Sequence, residues 1–130
     1  MPADATIEFK MHYTASGLAT SDTSYMGVYL HKEKPEYELE SMVLLNPRIR
    51  IPAADPNHME LARRTVDKDI LVYSLLPHAH FRGKASEFVA RYPDGSEEKI
   101  LSVPRYDFNG QTTYTPNEPK LLRADTQIGH

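Results

Sequence analysis

Residues 7–13, IEFKMHY, alternate with a period of two. Ile7, Phe9, Met11 and Tyr13 form an apolar face, while Glu8, Lys10 and His12 form a polar one, as expected for a half-buried strand. A polar turn, ASGLATSDTS, follows, and a second alternating strand is expected at about residues 26–31. Residues 33–35 break it. Residues 37–45 alternate again, with Leu39, Val43 and Leu45 expected to face inward. Pro47 and Pro52 bracket a short extended piece, and AADPNH reads as a turn. Residues 59–66 are compatible with a strand or one short helix, because LARR has fair helix propensity; the regular strand spacing around them favours the strand.

The longest apolar run is residues 70–76, ILVYSLL. It is apolar on both faces, as a central strand of a sandwich would be. Residues 87–92 and 99–103 flank Pro93-Asp94-Gly95, the strongest hairpin signal in the chain. The tail from Tyr106 onward supplies one or two further strands. The whole reads as one all-β domain over residues 1–130, an antiparallel β-sandwich (jelly-roll-like) of about eight or nine strands.

Composition narrows the function. Ten prolines and six glycines in 130 residues suit many short segments. The net charge is −3, from 15 basic and 18 acidic side chains that are well mixed. Without a basic stripe, nucleic acid is a poor partner, and no apolar run reaches the length of a membrane span. MPADATIEF does not read as a signal peptide and begins like a fragment of something longer. There is no cysteine, so any metal must be held by histidine, carboxylate or methionine.

The chemistry concentrates in residues 75–84, LLPHAHFRGK. In extended backbone, residues i and i+2 share a face, so His78 and His80 are expected side by side, roughly 6–7 Å apart at Cβ. Two imidazoles so placed can close on one metal ion. Gly83 is expected where the chain passes close to other backbone. A lone H-x-H also occurs by chance at exposed strand ends. The other candidates read as structure. Glu97-Glu98 is a solvated edge, and Asp107 with Asn109 lacks the acidic density of a calcium loop. Tyr106 and Phe108 read as core. His31 and His58 read as surface residues, and His130 is given no role. No nucleophile motif or phosphate loop occurs.

His12-Tyr13 ending one alternating strand, followed by His78-x-His80-x-x-Gly83-Lys84 after an apolar strand, resembles the second catalytic domain of the copper type II, ascorbate-dependent monooxygenases. That family includes peptidylglycine α-hydroxylating monooxygenase and dopamine β-monooxygenase. Through PHAHFRGK, the YPDG hairpin and VPRYDFN, the likeness is to bacterial relatives, and it spans about residues 7–120. The resemblance implies a β-sandwich paired with a preceding β-sandwich domain across a cleft, with one copper on each side. It implies that His78 and His80 hold the oxygen-binding copper and that His12 is one ligand of the electron-transfer copper. It further implies C–H hydroxylation with ascorbate as reductant, and a periplasmic or extracellular parent protein.

Three departures qualify what is carried over. The family's downstream methionine ligand has no counterpart before His130, and Met11, Met26, Met42 and Met59 read as packing residues. The first domain is not in this chain. Leu76 stands where the peptidylglycine enzyme has a carboxylate-gripping arginine, and Lys10 where it has a glutamine. The relatives also carry an aromatic residue where this chain has Gly110. The fragment is therefore expected to bind copper weakly and not to turn over substrate. A non-catalytic sandwich serving as a binding module is the alternative, and a surface that recruits adventitious zinc or nickel is a third.

Overall fold

The computed structural model describes residues 4–130. The chain divides into two units, Met1–Leu39 and Glu40–His130. The first contains no strand among its described residues. The strands expected at residues 7–13 and 26–31 are therefore irregular backbone. Their alternating apolar side chains stand open: Ile7, Phe9, Met11 and Tyr13 are 42%, 57%, 47% and 69% exposed. Alternation provides a face to bury, but a strand also needs a ladder partner, and none pairs with these residues. Local order comes from Asp22, which accepts hydrogen bonds from the Tyr13 hydroxyl (3.0 Å) and the Ser24 hydroxyl (2.8 Å).

The second unit holds six short strands: β1 Arg63–Thr65, β2 Ile70–Val72, β3 Ser86–Arg91, β4 Glu97–Val103, β5 Lys120–Leu122 and β6 Gln127–Gly129. A four-stranded sheet has the order β1-β6-β3-β4, a two-stranded sheet pairs β2 with β5, and every pairing is antiparallel. The expected all-β class and antiparallel pairing are present. Of the strand expected at residues 59–66, the part Arg63–Thr65 forms, as β1. A 3-10 turn at Phe108–Gly110 is the single helical element among the described residues.

The β3–β4 hairpin is built as its residues dictate. Pro93 fits the second position of a tight turn, and Gly95 takes the left-handed φ of 85° that closes it. The Gly95 amide donates to the Tyr92 carbonyl (3.0 Å), and Asp94 accepts from the Ser96 amide (2.8 Å). The register shifts by one residue between Phe88, opposite Leu101, and Val89, opposite Lys99. Ile100 is the extra residue of this bulge, which lets the consecutive apolar pair Ile100-Leu101 both pack against the core.

Phe88 and Ala90 of β3, Leu122 of β5, Ile128 of β6 and Val66 form that core, with Ile70, Val72 and Leu75 against it. The 70–76 run is not a central strand. Its paired part, β2, meets only β5, and Leu71 remains 53% exposed. Residues 41–46 alternate in burial with the opposite phase to that expected: Met42 and Leu44 pack toward the core, and Val43 and Leu45 are exposed. Both faces are apolar there, so period-two reasoning could not choose between them. Lys120 of β5 donates to Glu98 of β4 (2.7 Å), and Tyr92 donates to the same carboxylate (2.6 Å), tying one sheet to the other. Lys120, then Tyr92, holds the Glu98 carboxyl below its ordinary range.

His130, given no role from sequence, belongs to the fold. Its ring stacks on Phe88 with centroids 4.2 Å apart, and its Nε2 is 2.7 Å from the Ser86 hydroxyl. Burial lowers its pKa from the ordinary 6.5. The unfolded chain therefore takes up the proton first. The stability that follows from a neutral His130 is complete above the ordinary value and falls as pH drops through it toward the lowered one. The urea midpoint of the parent should fall between about pH 7.5 and about pH 5. In His130→Phe, which keeps the stack on Phe88, that decline should be shallower; an equal slope would remove His130 from the account.

Thr126 is fully buried, and its hydroxyl has no hydrogen-bond partner. An unsatisfied buried polar group costs about 1–3 kcal/mol. Thr126→Val keeps the shape and should raise unfolding free energy by about 1 kcal/mol in urea titration. A loss of similar size would show that the hydroxyl is satisfied in solution.

Candidate metal centre

Past the bridge between Leu75 and Tyr114, the chain leaves the two-stranded sheet through Pro77, which is buried. Proline cannot donate to a ladder, so pairing stops there and residues 78–80 run free of any strand. His78 and His80 are brought together. Their ring centroids are 5.4 Å apart with planes at 88°, and both residues are exposed. The intervening Ala79 is partly buried.

Three neighbours fix this segment. The Gln111 side-chain oxygen lies 3.0 Å from His78 Nδ1. Accepting from Nδ1–H, it sets the tautomer that leaves Nε2 as the free donor to a metal. Phe108, in the 3-10 turn, sits edge-on to the His80 ring at 6.0 Å. That turn is capped by Asp107, which accepts from the Asn109 amide at 2.9 Å. The Tyr106 hydroxyl contacts the Ala79 backbone twice, donating to its carbonyl (2.7 Å) and accepting from its amide (3.0 Å). Beyond His80 the chain turns tightly, the Gly83 amide donating to the His80 carbonyl (2.7 Å). Lys84 reaches away from the histidines to Asn57 (2.8 Å). An open groove of about 240 Å³ is lined by Pro77, Arg105, Tyr106, Asp107, Thr112 and Tyr114 among others, and by neither histidine.

His12 lies in the first unit and is exposed, in irregular backbone. Gln111 and the clamping role of Tyr106 were missed from sequence. Gln111 stands 33 residues from His78 with no motif to mark it. Tyr106 read as packing, since an aromatic between prolines and polar residues carries no sign of what its hydroxyl meets. His58 is bonded at both ring nitrogens, to Asp55 (3.3 Å) and Glu60 (3.1 Å). With no free nitrogen it is a loop staple. Glu60 also accepts from the Arg50 amide and Asn46, and these bonds, that to Arg50 largest, hold its carboxyl below the ordinary range.

The donor set suits a soft-to-borderline cation with open positions. Two neutral imidazoles serve both copper oxidation states, and one already carries the outer hydrogen bond typical of metal-bound histidine. Among the described residues no group of three or more histidine or carboxylate side chains surrounds a common point. The pair thus offers two ligands and leaves the remaining positions to solvent or to groups outside this set. No protein-family model, curated protein or solved structure matches the chain.

Removing the outer hydrogen bond has a defined consequence. In Gln111→Leu, His78 should lose its preference for the Nδ1–H tautomer, read from the ring-nitrogen shifts in long-range proton–nitrogen NMR spectra. Unchanged shifts would mean that Gln111 does not set the tautomer.

Proposed function

We propose that this chain is the copper-binding catalytic domain of a monooxygenase that hydroxylates a C–H bond with oxygen and a reductant such as ascorbate. The observation that carries the reading is the exposed pair of imidazoles, His78 and His80, 5.4 Å apart on a segment free of ladder bonds. The order of His12-Tyr13 and H-x-H-x-x-G-K in the sequence supports it.

In this reading His78 and His80 hold the oxygen-side copper, and His12 belongs to the electron-transfer copper, completed by a preceding β-sandwich domain. The two sheets are in this reading part of a jelly-roll-like sandwich of eight or nine strands, in a parent protein that works in the periplasm or outside the cell. Copper would supply one-electron chemistry and a site for oxygen. One oxygen atom enters the C–H bond and the other leaves as water, with two electrons and two protons drawn from the reductant side. The chain's own residues do three things. Gln111 orients His78 through Nδ1, Phe108 packs against His80, and the groove lined by Pro77 and Tyr106 offers room for a substrate. Leu76 leaves that position without a carboxylate clamp, which argues against a peptidylglycine substrate and leaves the substrate class open.

Copper titration tests the assignment. This chain should bind one copper ion, weakly, in a site that His78→Ala combined with His80→Ala abolishes. If the double variant takes up as much copper, with the same affinity, the pair is not the site.

A further inference from the structure

Ala79 sits between the two histidines, and one phenol satisfies both of its backbone groups. The bond from the Ala79 amide to the Tyr106 hydroxyl (3.0 Å) fixes the peptide plane shared by His78 and Ala79. The bond from the hydroxyl to the Ala79 carbonyl (2.7 Å) fixes the plane shared by Ala79 and His80. Peptide units are rigid, so orienting these two planes sets φ and ψ at Ala79. Those angles decide whether the flanking side chains project together or apart. In a sheet a neighbouring strand would do this; here, after Pro77 has ended the pairing, a side chain does it.

Tyr106 is well placed for the task. It follows β4 directly, and its own amide donates to the Lys84 carbonyl at 3.0 Å, anchoring it to the far side of the same loop. The loop is therefore bonded to Tyr106 at both ends, to its hydroxyl at Ala79 and to its backbone amide at Lys84. Gly83 permits the fit. A Cβ there would lie 2.6 Å from the Ala79 Cβ and 2.8 Å from Tyr106 Cδ1, closer than carbon atoms pack. Ala79 meets the same constraint, since its methyl already fills the space that Gly83 leaves.

We infer that Tyr106 is a positioning residue for the two-imidazole clamp, holding the His78 and His80 rings side by side through the Ala79 backbone, with Gly83 as the space that admits its ring. The inference about metal affinity rests on the function proposed above; the inference about ring placement does not.

The test is Tyr106→Phe, which keeps the ring and removes both bonds. In metal-free protein, the Ala79 amide should exchange at least about tenfold faster, in line with the loss of a protecting hydrogen bond. Nuclear Overhauser contacts between the His78 and His80 rings should weaken, while the β3–β4 amides stay protected. Copper(II) affinity should fall about tenfold, as for other outer-shell changes at metal sites. The nitrogen hyperfine pattern in the electron paramagnetic resonance spectrum should change with it. Gly83→Ala, which leaves the hydroxyl in place but crowds the ring and Ala79, should shift the same readouts in the same direction. Retention of Ala79 protection and of the ring–ring contacts in Tyr106→Phe would overturn the inference, whatever the parent's copper chemistry proves to be. If the parent binds copper through the pair and Tyr106→Phe binds it with equal affinity and an identical spectrum, the positioning role is refuted and the metal site stands.

Discussion

The second unit depends on β3 being paired along both edges. Between β4 and β6 its amides and carbonyls find partners, so Phe88 and Ala90 can be buried without stranding backbone polar groups. One of the two supports of the histidine segment is attached to this strand. The hairpin delivers β4, β4 delivers Tyr106, and Tyr106 holds Ala79. On the other sheet, β2 pairs with β5, the Leu75–Tyr114 bridge carries the chain to Pro77, and Pro77 releases it. The histidine pair is thus approached from two sheets whose apolar side chains share one core. The Lys120–Glu98–Tyr92 group links the same two sheets at the surface.

Local chemistry made some of this legible. Pro93-Asp94-Gly95 specified its turn, because only a residue free of Cβ closes it without strain, and the flanking strands followed. The H-x-H spacing marked two rings that do come together, on a segment outside any strand. Gly83 was expected at a close approach of backbone; the approach is there, but the nearest atoms are the side chains of Ala79 and Tyr106, with the His80 carbonyl next.

What was not legible is non-local. Alternation in residues 7–13 and 26–31 describes a face, yet strand formation is decided by a ladder partner that the pattern does not encode. The segment around Met42 and Leu44 is apolar on both faces, so its phase follows from the core it meets. The run at residues 70–76 looked central because it is apolar throughout, but it has one partner strand and leaves Leu71 open. Gln111 and the hydroxyl of Tyr106 act on residues 33 and 27 positions away. Nothing in single-sequence spacing reports such contacts. His130 was passed over for the opposite reason: a terminal histidine invites no structural reading until Phe88 is found beneath it.

The account stands on the claim that His78 and His80 grip one cation together. Anomalous scattering recorded on both sides of the copper edge, from a crystal loaded with copper, examines that claim with no dependence on turnover. The account predicts a single strong peak within bonding distance, about 2.0 Å, of a nitrogen from each of the two rings. A peak at His58, His130 or another surface residue, with the two rings left unligated, would contradict it.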